Sequence, residues 1–290
     1  MHPAPSVIIF SVLSGMGFGL LVYLGVGVVV PGGWTAFFWW GLGYGLAIAG
    51  LLAATAHLGN PKNAIKAFSQ WRTSWLSREA WAAVATMLML APVALSDWLG
   101  FGWPRYLGYL GAVLALFTVF TTSMIYTQIK AVPRWNHWVN PVMFLGFAVA
   151  GGAVLAGQGW AIYLLAALGL GLLAVWQIGD QQFAKRAQTI GAATGLGSIG
   201  EVTVFEQPHT GGNYLMREMI YVVGRKHAQK LRGIAVAFVA VVPAFMLAVL
   251  PSAHWVFGVA ALCHLIGAFA ARWLFFAEAE HVVGLYYGAR

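Results

Sequence analysis

The stretch AHLGNPKNAIKAFSQWRTSWLSRE, residues 56–79, concentrates the side chains that can do chemistry: His57, Glu79, four cations and the tryptophans Trp71 and Trp75. An imidazole titrates near neutrality and a carboxyl can be tuned by its surroundings, so His57 and Glu79 can each take up or release a proton. Such a pair suits a quinone head group, whose oxygens accept hydrogen bonds and which gains two protons on reduction and loses two on oxidation. Trp71, Arg72, Trp75 and Arg78 stand between the two in sequence and are placed to wall and orient that site. A plainer reading stays open beside it: Glu79 favours a helix start through the helix dipole, and His57 bonds a backbone carbonyl or a lipid phosphate.

The elements that must carry this pair follow from composition. Of 290 residues, 60% are hydrophobic and 8% charged, whereas soluble domains carry about 25% charged residues. So few charges cannot cover a polar surface, and the expected fold is all-α and polytopic, a single integral membrane domain over residues 1–290. A spanning helix needs about 20 mostly apolar residues. Eight segments qualify, near 6–30, 36–57, 79–97, 106–127, 139–157, 160–179, 234–250 and 255–276. The first lacks Lys and Arg before it and is too long for a signal-peptide core, so it is expected to be a retained helix.

Charge then sets the orientation. With eight passes, 15 of the 16 Lys and Arg fall on the face that holds both termini, and only Arg105 falls on the other. By the positive-inside rule that face is cytoplasmic, and with it the stretch from His57 to Glu79. The net charge of +8 therefore speaks of topology, not of nucleic acid. Within the stretch, Asn60 and Pro61 read as an N-cap and first helical residue, and Ala64, Ile65, Phe68, Trp71 and Trp75 recur at helical spacing, which predicts an amphipathic interfacial helix over about 61–76. Ser77 is expected to cap the third span, with Glu79 in its first turn. His57 leaves the second span at the same depth, so the two can share a site.

The longest loop, about 180–233, exceeds an ordinary connector. Its candidate partner-docking residues are His209, Asn213, Tyr214 and Arg217, against the alternative of a self-packed cap. Other polar residues are weaker candidates. His137 reads as an interfacial residue that could line the site, and Thr118, Thr121, Thr122, Ser123 and Tyr126 read as interhelical hydrogen-bond formers. His264 lies near mid-membrane and finds no second His at its depth for a bis-His haem. Cys263 is the one cysteine, so no four-cysteine iron–sulfur cluster is expected in this chain. A secondary transporter, the rival from another class, would carry paired charges or broken helices near mid-membrane, which the spans scarcely offer. A b-type cytochrome anchor is a further rival.

Four pieces of sequence resemble a known family: His57-Leu58-Gly59 with Pro61; the run Trp71 to Glu79; Met124-Ile125-Tyr126 with Lys130 and Trp135; and Asn213-Tyr214-Leu215 with Arg217-Glu218-Met219. They are similar to the membrane anchor subunits of dimethyl sulfoxide reductase-type complexes, the DmsC family. The resemblance implies an eight-helix anchor in the bacterial inner membrane, without metal centres of its own. It further implies an iron–sulfur subunit and a molybdopterin catalytic subunit as partners, and exchange of electrons with ubiquinone or menaquinone. His57 and Glu79 match the family's quinol-site His and Glu. Some members oxidise quinol for an exported reductase. The similar anchors of sulfite-oxidising complexes, SoeC-type, serve cytoplasmic subunits and reduce quinone, and the charge count favours that branch.

Overall fold

The structure is a computed structural model. It describes residues 1–56, 60–187, 189–206, 209, 211–220 and 227–287. His57, the first of the two candidate proton carriers, therefore lies outside the described residues.

Among the described residues there are helices and turns and no strand. The long helices are α1 (Pro5–Gly25), α2 (Gly33–Thr55), α3 (Trp75–Leu99), α4 (Tyr106–Thr127), α5 (Val139–Leu155), α6 (Ala161–Lys185), α7 (Ala228–Val249) and α8 (His254–Ala277). Each coincides with one expected apolar segment, though α7 starts six residues before the expected 234, in the basic run that includes Lys230 and Arg232. Seven are long and apolar enough to cross a membrane. The exception is α5, whose 17 residues rise about 25 Å, less than the roughly 30 Å of a hydrocarbon core.

Helix α1 is apolar on all sides, as a helix surrounded by others must be. Phe18, Leu20, Leu21 and Leu24 are fully enclosed, and α1 packs on α2, α4, α5 and α8. It approaches α5 closely. A Cβ added to Gly19 would run into the Ala148 carbonyl oxygen, and one added to Gly152 would run into the Gly19 carbonyl. Backbone therefore meets backbone, the small-residue packing that holds helices together where no hydrophobic force acts between them. Gly152→Val is expected to force α1 and α5 apart, at a cost of about 1–3 kcal/mol or more, and to lower the yield of monodisperse detergent-solubilised protein. Wild-type yield and melting temperature would contradict this packing.

The two ends of the bundle differ in charge. At one end Arg105 donates to Asp97 at 2.7 Å and to the Leu24 carbonyl at 2.8 Å, so its charge is paired. The other end gathers the chain's distant parts. The N-terminal ammonium donates to the Ala279 carbonyl at 2.7 Å, and the Val282 N–H donates to the Ala131 carbonyl at 3.0 Å. Arg232 holds Asp180 through two bonds of 2.7 and 2.8 Å and Glu278 through a third of 2.7 Å. Arg134 donates to the same Asp180 and lies 3.6 Å from Glu278. These four charges fasten α6, α7, α8 and the α4–α5 connection together.

Candidate functional site

Glu79 sits at this second end, on α3. Its helix begins at Trp75, two residues before the expected cap: Ser74 is extended, and its carbonyl accepts from the Arg78 N–H at 3.1 Å. The reason lies in the preceding turn. The Arg78 guanidinium donates to the carbonyls of Trp71 and Arg72 at 3.0 and 2.7 Å, folding 70–74 back over the helix start. Ser77 is thus inside the helix, 1% exposed, with a hydroxyl that has no hydrogen-bond partner among the described residues, and Glu79 is the fifth helical residue, beyond the first turn.

Spacing explains the burial of Glu79. Glu79, Ala82, Ala83, Thr86, Leu90 and Val93 recur every three or four residues and form the covered face of α3, against α4. On α4 the residues Thr118, Thr122 and Tyr126 follow at four-residue steps on one face. Thr86 and Thr118 share a hydrogen bond of 3.2 Å. One turn further, Glu79, 3% exposed, is in hydrogen-bond contact with the Thr122 hydroxyl, which also lies 2.9 Å from the Thr118 carbonyl. A hydroxyl has one proton to donate. With Glu79 ionised, Thr122 must choose between two acceptors. With Glu79 protonated, the carboxyl donates to Thr122 and Thr122 donates to the carbonyl, and both contacts are made. Among the described residues no cation pairs with this carboxyl, so the proton on Glu79 governs a local hydrogen-bond rearrangement.

The four residues expected to wall the site fall into two pairs. Arg78 lies 4.3 Å over the Trp75 ring, and Trp75 stands edge-on to Phe120 of α4 at 6.0 Å. Arg72 lies 5.3 Å from the Trp71 ring, and Trp71 is 55% exposed. The stretch before them is helical only over Pro61–Phe68, as a 3₁₀ helix capped by the Asn60 side chain at 3.3 Å, and the rest of 61–76 is turns and the start of α3. Trp81 ties this helix to α3 by donating to the Phe68 carbonyl at 3.0 Å. Trp75 and Arg78 thus join Glu79 at the head of α3, while Trp71 and Arg72 lie further out.

Two residues with no site role in the sequence reading belong to this neighbourhood. Tyr126, one helical turn beyond Thr122, is 8% exposed and ringed by Trp135, Phe144, Phe275 and Phe276 at 5.3–5.9 Å. It lies within electrostatic reach of both Glu79 and Arg272. The second is Arg272 of α8. It is 3% exposed, its guanidinium is 3.5 Å from the centre of the Phe144 ring, and its Nη1 has no hydrogen-bond partner among the described residues. An apolar run with one Arg near its end was the only signal in the sequence.

The remaining candidates lie elsewhere. His209 stacks on Tyr287 at 6.2 Å, and Asn213 donates to the Tyr287 hydroxyl at 3.2 Å, so these two pack on the chain's own 3₁₀ helix Val282–Tyr287. Tyr214 is 64% exposed and Arg217 is exposed. The His137 Nδ1 accepts from the Val139 N–H at 3.3 Å. Partial burial, with Arg186 and Lys185 beside it, holds its imidazole below the usual value. His264 is fully enclosed, with Nδ1 2.8 Å from the Val239 carbonyl, which α7 presents from a widened turn over Ala237–Val241. Among the described residues no three His, Cys, Asp or Glu side chains converge where a metal ion could sit.

Comparison with known proteins supplies the context of this site. The sequence profile of the DMSO reductase anchor subunit, DmsC, matches residues 1–278. The chain is 28% identical over 328 aligned positions to the C-subunit of sulfite dehydrogenase from Allochromatium vinosum, covering 99% of each protein. No solved structure matches it. A helical chain with seven candidate membrane spans, matched over nearly its whole length, belongs to the DmsC family of anchor subunits.

Proposed function

We propose that this chain holds a molybdopterin catalytic subunit and an iron–sulfur subunit at the bacterial inner membrane and passes their electrons to quinone at a site centred on Glu79. The observation that carries this reading is a buried carboxyl at one end of an apolar bundle, bonded to a hydroxyl and unpaired with any cation among the described residues. A quinone head group offers two oxygen acceptors and exchanges protons, and a protonated Glu79 can turn its proton from Thr122 to such an oxygen while Thr122 keeps the Thr118 carbonyl. The residues therefore suit it as a substrate. Glu79 Oε1 takes up or releases the proton, Thr122 follows it by switching acceptors, and Trp75 with Arg78 orients the entry from the membrane interface. His57 is the proposed second carrier. The electrons come from the partner's iron–sulfur cluster, and no haem is assigned to this chain.

In this reading the bundle makes eight passes, with the short α5 as the eighth. A 17-residue helix serves because α1, α4, α6 and α8 shield much of it from lipid. The end that carries Glu79 and the Arg134, Asp180, Arg232 and Glu278 cluster faces the cytoplasm in this reading, since with eight passes every Lys and Arg but Arg105 falls on that face. Likeness to a sulfite dehydrogenase subunit favours quinone reduction during sulfite oxidation over quinol oxidation for a terminal reductase. Tyr214 and Arg217 remain available for a partner.

The test is direct. The complex purified through this chain is expected to bind a short-chain quinone analogue with one site, to lose that binding about tenfold or more in His57→Ala, and to show no stoichiometric Soret band. Undiminished analogue binding in His57→Ala and Glu79→Gln together would remove the site assignment. A stoichiometric Soret band would replace it with a cytochrome.

A further inference from the structure

Past Lys185 the chain leaves the bundle and forms a short ordered lobe. Thr189 caps the helix Ile190–Thr194 by accepting from the Ala192 N–H at 3.1 Å, and the chain then doubles back so that the Gly197 N–H donates to the Gly191 carbonyl at 3.1 Å. This lobe presents apolar side chains outward: Leu196 is 48%, Ile199 82% and Phe205 102% exposed. Against it lies an open groove of about 670 Å³ whose lining includes Phe183, Ile190, Val202 and Leu285. Exposed apolar residues on the spans meet acyl chains. These stand beyond the charged end of α6, where Asp180, Lys185 and Arg186 mark the edge of the apolar zone.

Charge identifies the occupant. Glu201 and Glu206 flank Ile199 and Phe205, and neither is in an ion pair among the described residues, on the end of the chain where cations otherwise dominate. Unpaired acids beside apolar knobs disfavour insertion into an anionic lipid surface. They suit a protein with apolar pockets rimmed by Lys or Arg. An anchor subunit must hold a protein at the membrane, and among the described residues of the loop this lobe gathers the most exposed apolar side chains, Ile199 and Phe205, while His209 and Asn213 are engaged with Tyr287. We propose that Ile199 and Phe205, framed by Glu201 and Glu206, are the anchoring knobs on which a soluble redox subunit of the complex seats. The inference rests on the anchor reading above and not on the quinone site. It places the partner on the same end of the bundle as Glu79.

Two measurements test it in the assembled complex. A photo-crosslinking amino acid at position 205 is expected to form an adduct with a co-purifying soluble subunit, identified by mass spectrometry. Adducts with lipid alone, or within this chain alone, would overturn the proposal. The double variant Ile199→Ser with Phe205→Ser is expected to leave the anchor in the membrane at wild-type level and to cut retention of the soluble subunits on washed membranes by about tenfold or more, as for removal of central interface residues. Dye-linked catalytic activity would then appear in the soluble fraction. Retention at wild-type level would overturn the proposal. Neither readout uses quinone, so a failed quinone site and a failed docking surface give different results.

Discussion

Glu79→Gln is expected to lower quinone-linked turnover by about 100-fold or more, the range attributed to a positioned acid or base, while dye-linked activity of the catalytic subunits and the composition of the purified complex stay at wild-type level. The substitution is chosen for what it keeps. A glutamine oxygen can still accept from the Thr122 hydroxyl, and the side-chain volume is nearly the same, so packing of α3 on α4 is preserved. What is lost is the exchangeable proton. A variant within about twofold of wild type in quinone turnover would show that the carboxyl is structural and would return Glu79 to the role of a buried hydrogen-bond partner. Thr122→Val supplies the complementary comparison, because it removes the hydroxyl that responds to the proton and leaves the carboxyl in place.

The second large effect concerns stability. Glu278 is 5% exposed at its side chain, and removing it in Glu278→Ala leaves Arg232 and Arg134 with Asp180 as their remaining acidic partner. Breaking one partner out of a buried ion pair costs about 3–5 kcal/mol, because the remaining charge keeps its desolvation penalty. Asp180 meets the same two arginines but is 43% exposed, and solvent there can replace the missing partner. Asp180→Ala is therefore expected to cost about 1 kcal/mol or less, as exposed pairs do. A fluorescence thermal-shift comparison in one detergent tests the order. Equal or reversed losses would show that exposure does not set the value of these pairs.

Much of this architecture was legible in the residues. Eight apolar runs separated by Pro, Gly and Trp turns anticipate the eight long helices, because a helix in lipid must satisfy its own backbone and needs a near-continuous apolar length to do so. Asn60 before Pro61 anticipates the capped 3₁₀ start. The cap at Ser77 was misplaced because Ser74 and Ser77 both offer a cap-type side chain. Only the tertiary course of Arg78, whose guanidinium gathers the carbonyls of Trp71 and Arg72, selects the earlier one.

Local pattern and composition therefore carried the all-helical class and the apolar helices, seven of them long enough to cross a membrane, and singled out Glu79 together with His57, which lies outside the described residues. The choice of partners came with folding. It matched Glu79 with Thr122, 43 residues away, enclosed Arg272 among Phe144, Phe147 and Phe275, and joined Arg134 and Arg232 to Asp180 and Glu278. It also set His209 and Asn213 against Tyr287 and left Ile199 and Phe205 outward. The physical reason is that burial and pairing depend on which faces of distant helices meet. Hydropathy specifies that a helix is enclosed by lipid or protein, while the small residues at Gly19 and Gly152 and the spacing of Thr118, Thr122 and Tyr126 fix which neighbour it meets, and that appears only once the chain is folded.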